Sequence, residues 1–390
     1  MDHALVNAVK RITLESVLAE LEAVLSQPTA PLHEGYVRDA VLSRMRQLPR
    51  FTVDEDRYGN VTATYRNRTR RPPLVLMAHM DHPGFEVVET TGQGRGRHAV
   101  VQLTGRGPTT AAMGTAVQTI GPNRSGRGVV AEVTEIKDHP YADARMVLHR
   151  VRGDMQPGDL GMYALPAYRR RGMLVHTRAA DDLACVGALL ALAAAIDGLA
   201  PERTHVRLLF SRAEEGGFLG TIAAAAGRVL PVNAVYLSLE ASSEKAGAAL
   251  GDGVVVRVGD RLSVFDPHIT GVLCETARAV QDQLGGAQAF AWQRKLMDGG
   301  VCEATALAAY GYRAGALCIP LRNYHNHGPN GRVAPEAVHA GDVLGLVRLL
   351  AVLCADTGPL FTRRRSPARA RFDQRYRATS RCLRDTGWHI

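Results

Sequence analysis

The chain has 390 residues, of which 46% are hydrophobic and 22% are charged, the balance of an ordinary globular protein. Its longest charge-free apolar run, 183–196, is too short to span a bilayer, and the N-terminus lacks the apolar core of a signal peptide, so neither membrane insertion nor secretion is expected. Most of the net charge of +9 comes from residues 362–390, with nine Arg and two Asp, so the body offers no basic face for nucleic acid.

The length and the cysteines narrow the class further. A chain this long exceeds the usual size of one hydrophobic core, so an inserted or second domain is expected. The six cysteines are scattered and include no CxxC pair. This pattern indicates reduced thiols rather than a disulfide framework or a cysteine-ligated zinc, and we therefore expect a cytoplasmic protein.

The N-terminal part begins with two predicted amphipathic helices within residues 13–48, separated by prolines. Residues 51–66 predict a β-hairpin, and the apolar run 73–79, PLVLMAH, predicts a strand buried on both faces. Residues 89–172 are rich in Gly, Arg, Val and Thr, with repeated turn signals and no helical periodicity. This texture predicts a small β-barrel or sandwich inserted into the body.

Helices alternate with strands in the rest of the chain. Helices are predicted at 183–199, 217–230, 271–284, 303–311 and 335–355, and strands at 205–211, 234–240 and 314–320. The alternation is typical of an α/β fold, here a mostly parallel sheet flanked by helices, with an inserted small β-barrel domain. We expect residues 1–88 and 173–361 to form the catalytic domain, residues 89–172 the inserted domain and residues 362–390 an Arg-rich tail.

The tail has too few aliphatic residues to fold by itself. It is expected to be a solvated extension outside the catalytic core. The alternative is docking on a neighbouring subunit through Phe372, Tyr376 and Trp388.

Histidines and carboxylates follow the predicted strands at their carboxyl ends, where open α/β sheets collect functional groups. They are His79 and Asp81, Glu214 and Glu215, Glu240, and His325 and His327, while Asp181 and Asp182 precede the helix at 183. Imidazoles and carboxylates without thiolates suit zinc, cobalt or manganese, and several carboxylates can hold two ions.

Each residue also has a plainer interpretation. Asp181 and Asp182 could cap the following helix, and the adjacent glutamates could be solvated loop charges. His79 could be a core histidine, and either His325 or His327 could be the histidine of the site. The occurrence of all these groups at one rim of the sheet favours a metal site.

Six stretches of the chain carry a family resemblance. They are AHMDHPGFEVV, TRAADDLACVGALLAL, LLFSRAEEGGFLGT, LEASSEKAGAALGDGVVVRVGD, LMDGGVCEATAL and IPLRNYHN. In this order and spacing they resemble the tetrahedral (TET) and deblocking aminopeptidases, from about residue 14 to residue 355. The resemblance implies a cytosolic exopeptidase with two divalent metal ions. Its inserted β-domain would make dimer contacts, which implies a homo-oligomer, with a dodecamer as one form.

The resemblance also implies metal ligands, position by position. His79 and Glu240 would bind the first metal, Glu215 and His325 the second, and Asp181 would bridge both. Zinc is the favoured metal, with cobalt or manganese as alternatives.

Two further carboxylates would have catalytic roles by the same resemblance. Glu214 would be the general base and Asp81 would orient His79. The peptide bond between Asp181 and Asp182 would be cis. Glu240 departs from the family's more frequent Asp.

The function that follows is a dinuclear metal-dependent hydrolase, an aminopeptidase that cleaves N-terminal residues with metal-activated water. The stretches DHPG and GGVCEA depart from the family patterns HMDEIG and GGTDA. Because these stretches lie near the substrate, an amidohydrolase or deacylase acting on a small amide is the alternative.

Overall fold

The computed structural model describes residues 3–92, 97–244, 247–362 and 367–385. In chain order its helices are α1 His3–Lys10, α2 Leu14–Leu25, α3 Gly35–Met45, α4 Leu183–Leu199, α5 Leu219–Ala226, α6 Pro267–Leu284, α7 Glu303–Ala309, α8 Ala340–Ala355, α9 Gly358–Phe361 and α10 Pro367–Asp385. Within this part of the chain, none of the helices is both long and apolar enough to cross a membrane.

The described strands form a large sheet and a barrel. The sheet strands are β1 Phe51–Glu55, β2 Val61–Asn67, β3 Leu74–His79, β10 Arg169–Arg171, β11 Leu174–Thr177, β12 Thr204–Ser211, β13 Val235–Ser243, β14 Val254–Asp260, β15 Trp292–Met297, β16 Arg313–Arg322 and β17 Glu336–His339. The barrel strands are β4 Gly84–Thr91, β5 His98–Thr104, β6 Ala116–Gly121, β7 Arg124–Glu135, β8 Ala142–Gly153 and β9 Leu160–Tyr163.

The sheet has eleven strands among the described residues, in the order β1-β2-β12-β3-β13-β16-β17-β11-β10, with β14 beside β16 and β15 beside β14. Its centre is parallel, because β12, β3, β13 and β16 all run in one direction. The margins are antiparallel, as at the β1–β2 hairpin and at β16–β17. The predicted α/β fold is confirmed; the sheet predicted to be mostly parallel is mixed, with a parallel centre and antiparallel margins.

Helices cover both faces of the sheet, and β3 shows why its sequence is apolar without alternation. Leu74, Leu76 and Ala78 enter the larger core, which contains residues of α2, α4 and α8. Val75 and Met77 enter the smaller core on the other face, with residues of α5 and α7. Since successive side chains of a strand point to opposite faces, both sets must be apolar.

The six barrel strands close on themselves in the order β4-β5-β8-β7-β6-β9. Phe85, Val101, Met146 and Tyr163 are among the residues that fill the interior. The barrel therefore has its own core, and an inserted barrel is confirmed. The chain enters it five residues after His79 and returns to the sheet before Asp181, so two predicted metal ligands flank the insertion in sequence. The domain boundaries remain a prediction; the first barrel strand begins at Gly84.

Two segments differ from the sequence prediction. Residues 336–339 form strand β17 instead of the first turn of a helix, because they pair with β11 and β16. The tail contains helix α10, although it was expected not to fold by itself. Its Arg and Ala residues favour a helix without burial, and Arg369 pairs with Asp373 one turn later.

The aromatic side chains of α10 remain on the surface. Phe372 and Tyr376 are 67% and 68% exposed, so the chain itself does not bury them. Trp388, the third predicted anchor, lies outside the described residues. The solvated and the docked tail therefore both remain predictions.

Candidate metal centre

The parallel centre of the sheet brings the predicted site residues to one level. Ser211 at the end of β12 pairs with His79 at the end of β3. Met77 of β3 pairs with Ser238 of β13, so Glu240, two residues further along, lies level with His79. Glu214 and Glu215 follow within four residues of Ser211. The predicted convergence of strand ends is observed in the structure.

The two histidines lie on either side of Asp181. Nε2 of His79 is 3.5 Å from Oδ1 of Asp181, and Nε2 of His325 is 3.4 Å from its Oδ2. Nε2 of His325 is also 2.8 Å from Oε1 of Glu215, and Nε2 of His79 is 3.8 Å from Oε2 of Glu214. Each oxygen of Asp181 therefore faces a different histidine, the arrangement that a bridging ligand needs.

Among the described residues, two groups of three side chains could each hold a metal ion, because the ligand atoms within each group lie within 4.8 Å of one another. One contains His79, Asp181 and Glu215, and the other contains His79, Glu214 and Glu240. These groups share His79 and do not coincide with the two ligand sets that the family resemblance implies. The ligand assignment therefore remains a proposal.

The buried nitrogen and oxygen atoms of the site are better placed to coordinate metal ions than to form hydrogen bonds with one another. Oδ1 of Asp181, Oε1 of Glu215 and Nε2 of His325 are buried and make no hydrogen bond of suitable geometry, although the last two lie 2.8 Å apart. Leaving such a buried polar atom unsatisfied costs about 1–3 kcal/mol, more when the group is charged. Coordination to a divalent ion would satisfy all three, and the nitrogen and oxygen donors suit zinc, cobalt and manganese.

Burial, and to a lesser extent the neighbouring carboxylates, shift the pKa values of the ionisable groups at the site. Burial raises the pKa of Glu240 to about 8, although His79 acts in the opposite direction. Burial also raises the pKa of Glu214 well above its ordinary value, with Glu240 and Glu215 adding to the shift and His79 opposing it. Burial alone would lower the pKa of His79, but Glu214, Asp181 and Asp81 together raise it. Cations at the site would relieve this repulsion between carboxylates.

Asp81 is completely buried and joins the ends of β3 and β12. The backbone N–H groups of Glu214 and Glu215 donate to its Oδ1 and Oδ2 at 3.0 and 2.9 Å. Nδ1 of His79 lies 3.1 Å from the carbonyl oxygen of Asp81 and 3.5 Å from Oδ1. Asp81 thus fixes the backbone of both glutamates and also contacts the predicted ligand His79.

The structure separates the two candidate histidines of the late loop. His325 is buried at 3% exposure, and its Nδ1 lies 3.3 Å from the carbonyl oxygen of Arg106, on the loop after β5. His327 is exposed, with its Nδ1 3.2 Å from the carbonyl oxygen of Tyr324. His325 is therefore the histidine at the site.

The capping interpretation of the aspartate pair is not what the structure has. Asp182 occupies the N-cap position of α4, but its side chain makes no capping hydrogen bond. Both of its carboxylate oxygens are buried without a hydrogen-bond partner. The peptide bond between Asp181 and Asp182 is cis, as the resemblance implies.

Sequence reasoning missed two charged residues beside the centre. Glu336, on β17, is fully buried and bonds to the backbone of Asp181 and His325. Arg257, on β14, is 3% exposed and lines a small cavity together with Glu240, Gly300 and Tyr324. Neither follows a predicted strand end, since residues 335–355 were expected to be a helix and β14 was not predicted.

A buried group of two histidines and four carboxylates near the carboxyl ends of the central strands is a donor set of the kind that a dinuclear metal-dependent hydrolase uses. The family model of the M42 glutamyl aminopeptidases matches residues 150–342. This match confirms the predicted resemblance to these metallopeptidases.

Solved structures support the same fold. The TET aminopeptidase of a marine sediment Thaumarchaeota archaeon has a TM-score of 0.72 at 18% identity, covering 89% of this chain and 99% of its own. An aminopeptidase of the archaeon Desulfurococcus kamchatkensis has a TM-score of 0.71 at 18% identity, and the match covers 89% of this chain and 97% of that one. The TET1 peptidase of Pyrococcus horikoshii has a TM-score of 0.68 at 18% identity, and the match covers 87% of this chain and 99% of that one. That peptidase can assemble into a tetrahedron or a large octahedral shell. No curated protein matches the chain in sequence.

Proposed function

We propose that this protein is a dinuclear metallo-aminopeptidase that removes single residues from the N-termini of peptides. His79 and Glu240 would hold the first ion, Glu215 and His325 the second, and Asp181 would contact both. The family supports an aminopeptidase and does not favour the alternative of a small-amide deacylase.

The observation that carries the proposal is the division of labour between the adjacent glutamates. Asp81 holds the backbone of both, yet their side chains diverge. Oε1 of Glu215 reaches to 2.8 Å from His325, whereas Oε2 of Glu214 faces His79 at 3.8 Å. One carboxylate can therefore bind metal while its neighbour remains available for proton transfer.

In the proposed reaction, two bound divalent ions would lower the pKa of a water molecule and polarise the scissile carbonyl. Glu214 would take a proton from the attacking water and deliver it to the leaving amine. Its burial raises its pKa, which makes it a stronger base than an exposed glutamate. Asp81 would keep Glu214 in place through its backbone N–H.

Zinc is the proposed metal, with cobalt or manganese as alternatives. Imidazole nitrogen and carboxylate oxygen are common zinc ligands, and no cysteine belongs to either ligand group among the described residues. The same donors also bind cobalt and manganese, so metal choice depends on geometry and supply.

The substrate preferred by this site would carry an acidic N-terminal side chain. Nη1 of the buried Arg257 donates to Oγ of Ser242 at 3.2 Å, while its Nε is buried without a partner. Glu240 and Asp260 act on Arg257 electrostatically. Glu240 would be engaged by metal, and Asp260 accepts hydrogen bonds from Cys302 and Thr305. A substrate carboxylate would supply the missing partner.

We further propose a cytoplasmic homo-oligomer built on dimers, with a dodecamer as one form. The structural relatives include a peptidase that assembles into a tetrahedron or an octahedral shell. Five of the cysteines are free and buried, as in proteins of a reducing compartment. Light scattering on the 42.1 kDa chain should give a mass several times larger; a monomer across the micromolar range would refute the oligomer.

The function is tested by comparing three substrate classes with the zinc-loaded protein. Aminoacyl-p-nitroanilides and unblocked peptides should be hydrolysed, and the same peptides with an acetylated N-terminus should not. Preferential hydrolysis of N-acyl amides would establish the deacylase instead. Loss of turnover on chelation and recovery on adding zinc would show that metal is required.

A further inference from the structure

We propose that Glu336 is a positioning residue that controls how tightly the Glu215–His325 site holds its metal. It is not a ligand in the proposed function, on which this inference rests. Its role would be to fix the backbone from which two ligands project.

The contacts of Glu336 reach both sides of the centre. Oε1 accepts the backbone N–H of His325 at 2.7 Å. Oε2 accepts the backbone N–H groups of Ala180 and Asp181 at 2.6 and 3.0 Å. One carboxylate therefore ties the segment before α4 to the loop after β16, and each segment carries one predicted ligand.

These bonds matter because the two segments have little regular structure to hold them. His325 lies in a short 3-10 turn, Tyr324–Asn326, and has a left-handed backbone with φ of 52°. Asp181 lies between β11 and α4, in neither element. A non-glycine residue adopts the left-handed conformation at a cost in free energy, so its surroundings must stabilise it there. The bond from the His325 N–H to Glu336 is such a stabilising contact.

Both oxygens of the Glu336 carboxyl group are used in these bonds. The side chain is fully buried, and Nδ1 of His82 lies 3.9 Å from Oε2. The three backbone N–H groups therefore provide most of the hydrogen bonding of this carboxyl group. A glutamine would place an NH2 group against one of the N–H donors and lose that contact.

Asp342 provides a matched control for a purely structural role. It is also buried, and its two oxygens accept the backbone N–H groups of Gly251 and Gly253 at 2.8 and 3.0 Å. That loop carries none of the predicted ligands. Asp342→Asn therefore removes the same kind of bond without touching the metal centre.

The experiment titrates the metal-free full-length protein with Zn²⁺ by calorimetry, alongside thermal melting of the metal-free forms. Wild type should bind two ions. Glu336→Gln should lower the Zn²⁺ affinity of the Glu215–His325 site by about 10- to 100-fold. The affinity of the other site should change less, because His325 is a proposed ligand of one site only. Asp342→Asn should lower the melting temperature and keep both affinities.

The outcomes separate the two proposals. If wild type binds fewer than two ions, the dinuclear function fails, and this inference fails with it. If wild type and Glu336→Gln both bind two ions with equal affinity, only the role of Glu336 is overturned; an equal loss in Asp342→Asn would likewise overturn it, as a general stability effect. Should Glu336→Gln not fold, Glu336→Asp, which keeps the carboxyl group but is one methylene shorter, must show the selective loss, and wild-type affinity there would refute the inference.

Discussion

Nε2 of His325 lies 2.8 Å from Oε1 of Glu215, and neither atom has a hydrogen-bond partner of suitable geometry. The two side chains reach this point from different strands, β16 and β12, which are not neighbours in the sheet. Opposed donor atoms of this kind are suited to sharing a cation. We expect both to bind the same ion.

His325→Ala should therefore lose one of two bound metal equivalents and most turnover. His327→Ala should change neither, because His327 is exposed two residues further on. Metal analysis of the purified variants after dialysis provides the measurement. Equal metal content in wild type and His325→Ala would remove this residue from the ligand set, and metal loss in His327→Ala would transfer the role to it. His79→Ala should also lose metal.

Glu214→Gln should keep both metals and reduce kcat by about 100-fold or more, since a glutamine cannot accept the proton of the attacking water. Glu215→Gln should instead weaken metal binding, because Glu215 faces His325. Metal content and kcat measured on the same preparations distinguish the two roles. The assignment is reversed if Glu214→Gln sheds metal while Glu215→Gln retains it.

Arg257→Met should lower kcat/KM for aspartyl and glutamyl p-nitroanilides by about 10-fold or more, the value of a lost charge-assisted hydrogen bond. Leucyl p-nitroanilide should be affected little. Arg207→Met is the control, since Arg207 also has a buried Nε without a partner but lines a different groove. An equal loss on acidic and apolar substrates would argue against recognition of the side chain.

Gly105→Ala should destabilise the protein more than Gly114→Ala. The two glycines have nearly the same φ, +80° and +78°, so both substitutions carry a backbone cost of about 1–3 kcal/mol. A Cβ at residue 105 would also lie 3.0 Å from Cα of Pro83 and 3.1 Å from Cβ of Glu215, whereas residue 114 has open space. Denaturant unfolding of the metal-free proteins measures the difference, and equal losses would show that the close contact is tolerated.

The parallel centre of the fold was predictable because its strands have a simple signature. PLVLMA, residues 73–78, is apolar at every position because β3 packs against helices on both faces, and His79 follows at the end of the strand. The predicted helix at 183–199 is observed with the same limits. The carboxyl ends of parallel strands lie at one edge of the sheet, so the histidines and carboxylates that follow these strands could be expected to lie close together there.

The predictions failed where pairing partners decide the structure. Residues 336–339 continue smoothly into the apolar pattern of α8, and only their bonds to β11 and β16 make them a strand. The same error concealed the role of Glu336, because an acidic residue in the first turn of a predicted helix is common and does not indicate a functional site. Arg257 lies within VVVRVGD, where a single charge in an apolar strand does not indicate a cavity.

The loop after β5 connects the barrel to the proposed metal centre. Gly105 packs against Glu215, and the carbonyl oxygen of Arg106 lies within reach of Nδ1 of His325. A displacement of the barrel would therefore shift Glu215 and His325, the two proposed ligands of one ion. Coupling of this kind is reciprocal, so an ion that tightens this contact must also favour the barrel position that makes it. If the barrel also carries the subunit contacts, metal binding and subunit association are thermodynamically coupled. Removing the metal with a chelator should then shift the distribution of oligomer sizes.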